Sequence, residues 1–309
     1  MEIIRGLHNI RERHRGSAIT IGNFDGVHHG HRALLDALTT QAAAIGVRST
    51  LITFEPLPRE YFRGATVPAR LTRFREKVRL LEPTGIDHVL CLPFNERLAA
   101  VTAQSVIDDF LIGQLQVRYA VIGDDFRFGR GREGDFAMLK AAGLRAGFEV
   151  ADLSTLTFEQ GRVSSTRIRE ALAAGDMALA EALLGHDYFI MGKVVYGRQL
   201  GRTLGIPTAN IQLKRYRAAV EGVFAVDIGG LDRPYQGVAN VGVRPTVDGR
   251  QPLLEVHLFD FDRDIYGARL TVRFRHRIRD ERAFPSLDAL KAQIHADMAA
   301  ARHYFGTLA

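Results

Sequence analysis

Ala18-Ile-Thr-Ile21-Gly22-Asn-Phe-Asp25-Gly-Val-His28-His-Gly30-His31 decides how the first half of this chain folds. Ala18 to Ile21 reads as a short buried strand, Gly22 to Gly26 breaks it, and Arg32 to Ile45 carries the 3.6-residue spacing of a helix. A strand that runs through a glycine-rich bend into a helix puts that bend at the carboxyl edge of an open α/β sheet, where ligands bind. Free N–H groups and the positive end of the helix dipole favour an anion there.

Outward from this stretch the same alternation continues from Ser17 to about Leu153. Strands are expected at Ala18 to Ile21, Ser49 to Phe54, His88 to Leu92, Tyr119 to Ile122 and Phe148 to Leu153. Helical spacing fills Arg32 to Ile45, Arg73 to Leu81, Ala103 to Leu115 and Asp135 to Ala146. This is the pattern of a doubly wound parallel sheet with helices on its faces, a Rossmann-like α/β domain. Two short helices, Ser165 to Ala173 and Asp176 to Leu184, follow, and Gly185 supplies a stop.

Beyond Gly185 glycines punctuate β-rich runs at Tyr188 to Val195, Val223 to Ile228, Tyr235 to Val241, Leu253 to Phe259 and Arg269 to Ile278. That spacing suits a small antiparallel β-barrel. A C-terminal helix, Leu287 to Tyr304, is started by Ser286 after Pro285. Two domains are therefore expected, 1–185 and 186–309.

Composition narrows the functional classes. The chain has 309 residues, 46% of them apolar, and a net charge of +6. Only Lys77, Lys140, Lys193, Lys214 and Lys291 are lysines, so arginine dominates the cations, and its planar fork suits phosphate. The basic residues form no dense run with interleaved aromatics, which argues against a nucleic-acid platform. Met1 to Ile10 has no apolar core for a signal peptide, and no run approaches the ~18 apolar residues of a membrane span. A cytoplasmic protein with no membrane partner is expected. Cys91 is the single cysteine, which excludes an internal disulfide and a cysteine-based metal cluster.

Two constellations carry chemistry. In the first, His28 and His31 are three apart at a helix start, so both can face one way and donate hydrogen bonds to a triphosphate. Gly30 removes a side chain that would obstruct a base. Three neighbouring imidazoles could instead hold a metal, but no cysteine or acidic partner completes a pattern. No Walker loop is present. Downstream, Val163-Ser164-Ser165-Thr166-Arg167-Ile-Arg169 puts three hydroxyls at a helix start with two cations just inside, a second phosphate grip. Gly129-Arg-Gly131-Arg-Glu-Gly134 matches the dinucleotide fingerprint, yet Asp124 to Phe128 separate it from the strand, so it reads as a basic loop.

In the second, Gly192-Lys193-Val-Val-Tyr-Gly197-Arg198-Gln-Leu-Gly201-Arg202 makes a cationic flap able to wrap phosphates. Pro207-Thr208-Ala-Asn210 follows it, and Thr208 and Asn210 offer oxygens that suit Mg²⁺. Strand alternation in Leu253 to Phe259 puts Leu254, Val256 and Leu258 on one face and Glu255, His257 and Phe259 on the other. Glu255 is then either a plain surface carboxylate or, beside Mg-ATP, a general base for an alcohol.

Gly22 to His31, Phe54-Glu-Pro-Leu-Pro-Arg-Glu60, Gly123-Asp-Asp-Phe-Arg-Phe-Gly129 and Ser164 to Arg169 together resemble the adenylyltransferase module of bacterial bifunctional riboflavin kinase/FAD synthetases. The flap, Pro207 to Asn210, Gly237 to Thr246, Leu253 to Phe259 and Ile278 to Phe284 resemble the kinase module of the same enzymes. Asp125 stands where some members have asparagine, and Leu57 where histidine is frequent.

The resemblance implies that His28, His31 and Arg169 act on ATP phosphates, with Gly22, Asn23, Phe24, Asp25, Gly30, Asp125, Ser164, Ser165 and Thr166 contacting the nucleotide. It implies a second nucleotide site at Gly192, Lys193, Arg198, Thr208 and Asn210, with Mg²⁺ at Thr208 and Asn210. Glu255 would deprotonate the ribityl 5′-hydroxyl, and Arg279, Glu281 and Phe284 would lie along the flavin. Riboflavin, FMN and ATP are the expected partners of a monomer or weak homo-oligomer, with FMN and FAD as products. Two alternatives remain at this point: a nucleotidyltransferase making another cofactor, and a nucleotide-sensing or nucleic-acid-binding protein on an inactive scaffold.

Overall fold

A computed structural model describes residues 1–153, 157–158, 161–197, 201, 205–246 and 249–307. The chain divides into two compact units, Met1–Val67 with Lys77–Ser164, and Pro68–Glu76 with Ser165–Ala309.

The first unit is built on six parallel strands: β1 (Glu2–Arg5), β2 (Ala18–Ile21), β3 (Ser49–Glu55), β4 (His88–Pro93), β5 (Tyr119–Gly123) and β6 (Glu149–Leu153). They lie in the order β1-β4-β3-β2-β5-β6. The order turns around at β2, with β3 and β4 to one side and β5 and β6 to the other. The loop after β2 therefore opens at the switch point of the sheet, the place where such folds bind ligands. Five of the six strands lie where apolar runs predicted them; β1 is additional and pairs with β4 from Glu2–His88 to Arg5–Cys91.

Helix α1 (His29–Ala44) starts three residues earlier than expected, so His31 lies in its first turn. The helices α2 (Pro58–Arg63), α3 (Phe74–Leu81), α4 (Glu96–Ala99) and α5 (Ala103–Ser105) follow. The apolar run expected as one α-helix from Ala103 continues instead as a π-helix over Val106–Gln114. Helix α6 (Phe136–Ala146) begins with the Asp135 carboxylate accepting the Met138 N–H and ends on left-handed Gly147. Ile19, Ile21, Ile52, Leu90, Ile107, Leu111 and Leu139 form the core between sheet and helices. Each such side chain contributes roughly 1.5–3 kcal/mol by leaving water.

After the short ribbon β7 (Thr157–Phe158) and β8 (Gly161–Arg162), helices α7 (Ser165–Ala174) and α8 (Met177–Leu184) lead to Gly185, which is left-handed as a helix stop requires. Then come β9 (Phe189–Val195), β10 (Ala209–Gln212), β11 (Gly222–Gly229), β12 (Tyr235–Thr246), β13 (Gly249–Leu258) and β14 (Arg269–Arg279). They close an antiparallel barrel in the order β10-β13-β12-β11-β14-β9. Leu254, Val256 and Leu258 are buried as their alternation requires. Val223, Ala225, Val238 and Phe259 face the other way and are covered by Ala301 and Phe305 of the terminal helix α9 (Leu287–Gly306), whose cap is Ser286.

A buried carboxylate is among the ties that hold Pro68–Glu76 in this second unit, beside the bonds of Arg215 to the Arg70 carbonyl and of Arg73 to the Leu213 carbonyl. Glu76 accepts from Arg215 Nη2 at 2.9 and 3.1 Å and from the backbone N–H groups of Arg73 and Met191 at 2.6 and 2.8 Å. Both side chains are 1% exposed, and a buried pair is stable only when its remaining donors and acceptors are satisfied in this way.

Candidate functional sites

The loop between β2 and α1 is conformationally demanding. Phe24 (φ 46°) and Val27 (φ 43°) are both left-handed without being glycine, a state worth roughly 1–3 kcal/mol of strain per residue. Burial offsets it: Phe24 is 1% and Val27 0% exposed. Phe24 packs its ring against His31 at 4.7 Å. Gly22 donates its N–H to the Ile52 carbonyl at 3.0 Å, anchoring the loop to β3.

His28 is the cap of α1, and its Nδ1 accepts the His31 N–H at 3.3 Å. Its proton is therefore on Nε2. The His28 and His31 rings stack at 3.7 Å and 15°, so the two imidazoles do face one way. Burial first, then the charges of His28 and Lys77, hold His31 well below the ordinary histidine range. Among the described residues its Nδ1 is a buried polar atom without a hydrogen-bond partner. Asp25 is 3% exposed, and Asn23 is exposed.

The other residues expected at this site are placed as follows. Asp125 lies in the loop after β5, paired with Arg162 at 2.9 Å. The Val163 carbonyl comes within 3.7 Å of the point where a side chain on Gly30 would begin, which brings Ser164 to the edge of the histidine loop. Ser164 ends the first unit, whereas Ser165, Thr166 and Arg169 open the second in α7. There Arg169 donates its Nε to the Ala69 carbonyl. Gly129–Gly134 is a tight loop closed by paired N–H···O bonds between Phe128 and Gly134, and α6 starts after it on the Asp135 cap.

One feature of this edge was not read from the sequence as a group. Phe54 at the end of β3, Phe94 after β4, and Tyr61 and Phe62 of α2 form an edge-to-face cluster with centroids 5.2–5.8 Å apart. Phe62 is 68% and Tyr61 41% exposed. Exposed aromatics in contact make a platform for a flat apolar ring.

At the opposite, amino end of the sheet, Glu2, His14 and His88 approach one another closely enough to suggest a cation site. The hydrogen bonds argue otherwise. His14 Nδ1 accepts the Arg11 N–H at 3.0 Å, so its Nε2 carries the proton that goes to Glu2 at 3.2 Å, and that nitrogen has no lone pair for a metal.

In the second unit a cavity of about 350 Å³ is lined by Thr208, Asn210, Asn240, Glu255, His257, Arg279, Glu281 and Phe284, among others. Its floor is a row across three strands: Glu255 on β13 stands opposite Asn210 on β10 and opposite Asn240 on β12. Directly opposed side chains are about 5 Å apart at Cβ. The Oδ1 atoms of Asn210 and Asn240 are buried without a partner among the described residues. Gly197 has to be glycine, because a Cβ there would meet the Asn210 amide at 2.4 Å.

His257 Nδ1 lies 2.8 Å from the Pro207 carbonyl, so the imidazole donates and pins Pro207–Asn210 beside the row. Arg279 is clamped by Asp297 of α9 through Nε at 2.9 Å and Nη2 at 2.7 Å. Its guanidinium lies 5.6 Å from the Phe284 ring centroid. Glu281 folds against Gly242, where a Cβ would meet its carboxylate.

Thr208, Asn210, Glu255, Arg279, Glu281 and Phe284 are thus brought together as the sequence suggested. Gly192 and Lys193 lie on β9 and are not among the residues that line the cavity; a Cβ on Gly192 would strike Ile211, a packing reason for that glycine. Arg198 and Arg202 lie outside the described residues. Asn240, His257 and Asp297 were not singled out. The alternation of β12 could have flagged Asn240, whereas Asp297 meets the site only through tertiary packing.

The chain is similar to known proteins along nearly its whole length. Residues 10–167 match the FAD synthetase family and residues 184–305 the riboflavin kinase family. The bifunctional riboflavin kinase/FMN adenylyltransferase of Escherichia coli (strain K12) is 51% identical over 99% of this chain and 98% of its own length. That of Pseudomonas fluorescens is 50% identical over 98% and 97%. A crystal structure described as a macrolide-efflux protein from Streptococcus pneumoniae superimposes with TM-score 0.83 and 31% identity over 98% of this chain and 99% of that one. Among the described residues of the present chain no helix is long and apolar enough to cross a membrane.

Proposed function

This chain belongs to the bifunctional riboflavin kinase/FMN adenylyltransferase family, and from that premise we propose which of its residues carry the two reactions. Its C-terminal part phosphorylates riboflavin to FMN with ATP, and its N-terminal part adenylylates FMN to FAD. We place the functional division near Gly185, a reading supported by the riboflavin kinase match beginning at residue 184.

For the kinase step the supporting observation is the Asn210–Glu255–Asn240 row on the cavity floor. Glu255 takes the proton of the ribityl 5′-hydroxyl, that oxygen attacks the γ-phosphorus of ATP, and ADP leaves. The Thr208 hydroxyl and the orphaned Asn210 Oδ1 are hard neutral oxygens that fit Mg²⁺. When bound there with ATP, the ion neutralises phosphate charge. Arg279, held by Asp297, and Phe284 form the wall along which the flavin lies.

For adenylyl transfer, an FMN phosphate oxygen attacks the α-phosphorus of ATP and pyrophosphate leaves. The nucleophile belongs to the substrate, so the protein supplies position and positive field. The His28 Nε2–H and the His31 ring donate to phosphate oxygens, and Ser164, at the edge of the histidine loop, adds a hydroxyl. The Phe54, Tyr61, Phe62 and Phe94 cluster receives the isoalloxazine ring. A cytoplasmic location fits ATP use and the buried thiol of Cys91.

The test is reciprocal inactivation. Glu255→Ala is expected to abolish FMN formation from riboflavin and retain adenylylation of supplied FMN; His28→Ala is expected to do the reverse. Loss of both activities in both variants contradicts the assignment.

A further inference from the structure

Beneath the histidine loop lies a cation that the motifs do not include. Lys77 of α3 is 0% exposed, although lysine is among the residues least often buried. Its ammonium donates to the Asn23 carbonyl at 2.5 Å and to Thr53 Oγ1 at 3.1 Å. The Thr53 hydroxyl donates to the same carbonyl at 3.4 Å. One triangle of hydrogen bonds thus ties α3, the carboxyl end of β3 and the beginning of the loop.

The bond falls where the loop needs it. The Asn23 carbonyl belongs to the peptide that enters Phe24, the first of the two left-handed residues. Rotating that peptide would swing the Phe24 ring away from His31, and with it the support for the stacked imidazoles. An ammonium is suited to the task because one group can donate to several acceptors at once while carrying charge.

We propose that Lys77 is a positioning residue for adenylyl transfer: its ammonium fixes the Asn23–Phe24 peptide so that His28 and His31 present together, and its charge adds to the positive field that receives phosphate. This rests on the assignment of adenylyl transfer to the Gly22–His31 loop. The charge reaches His31, where it is one of the influences that disfavour the imidazolium.

The test uses the full chain and follows FMN adenylylation and riboflavin phosphorylation separately. Lys77→Met keeps the side-chain volume and removes both charge and donors. It is expected to lower kcat/KM for FMN adenylylation roughly 10- to 100-fold, the range for lost charge-assisted hydrogen bonds, and to leave FMN formation from riboflavin unchanged. The limb of the adenylylation rate–pH profile set by His31 is expected to move to higher pH, a response that a purely structural lysine would not give. Adenylylation within about twofold of the parent and an unmoved limb would overturn the proposal.

If Lys77→Met does not fold, Thr53→Val decides. It removes a neutral member of the same triangle and is expected to lower adenylylation about threefold or more; an unchanged rate overturns the proposal. His28→Ala, run in parallel, separates the two levels. Survival of FAD synthesis in that variant removes the loop assignment and Lys77's role with it, whereas its loss beside a silent Lys77→Met removes the Lys77 proposal alone.

Discussion

Glu255 on β13 and Asn210 on β10 are direct cross-strand partners, and Asn240 flanks Glu255 on the other side. A carboxylate between two amides on the floor of a cavity can take a proton from an alcohol that enters there. Glu255→Gln keeps the shape and removes the basicity. Phosphorylation of riboflavin is expected to fall roughly 10²- to 10⁴-fold, with riboflavin binding, followed by quenching of flavin fluorescence, retained. A variant that still phosphorylates at the parent rate would show that the base lies elsewhere.

Asp297 is 3% exposed and accepts from Arg279 and from Gln293 at 2.7 Å. Asp297→Ala leaves the Arg279 guanidinium without its carboxylate at the cavity wall. Losing one partner of a buried pair costs roughly 3–5 kcal/mol, and the lower end applies because the Arg279 side chain is 19% exposed. A raised KM for riboflavin with a smaller change in kcat is expected from steady-state kinetics, together with a lower melting temperature.

Arg215→Met tests the segment Pro68–Glu76. It strands the Glu76 carboxylate at a site where both side chains are 1% exposed. A destabilisation of about 3–5 kcal/mol is expected, read as a lower urea midpoint of the barrel unit by following riboflavin phosphorylation. The double variant Arg215→Met with Glu76→Gln should recover much of the loss, since no unpaired charge remains.

His31 sets a pH dependence. Its folded-state pKa is depressed, chiefly by burial, so the unfolded chain binds the proton more readily. Stability is then full above the unfolded value of about 6.5 and declines as pH falls from there toward the folded value. Melting curves between pH 7.5 and pH 5.5, a window of roughly one unit either side of the unfolded value, are expected to show a smaller acid loss in His31→Gln than in the parent.

Much of this was legible in the sequence where local signals sufficed. Ala18–Ile21 ends at a glycine, and Ser286, Asp135 and Asp176 each cap the helix they precede. Strand β1 escaped because only Ile4 of its four residues is buried and no turn signal bounds it. Ala209–Gln212 reads as a ligand motif, which conceals a barrel strand of four residues. The π-helix at Val106–Gln114 has the apolar content of an α-helix, so its wider turn leaves little trace in the pattern. Lys77 and Asp297 owe their places to Thr53 and Arg279, 24 and 18 positions away in sequence, and nothing at their own positions announces it.

In the proposed assignment two independent sites share one chain, with FMN as product of one and substrate of the other. The direct measurement mixes Glu255→Ala with His28→Ala, each unable to make FAD from riboflavin alone, and supplies riboflavin, ATP and Mg²⁺. FAD is expected to form in the mixture, because FMN made by the His28→Ala chains is adenylylated by the Glu255→Ala chains. A mixture that makes FMN and no FAD, while Glu255→Ala alone adenylylates supplied FMN at the same concentration, would contradict it.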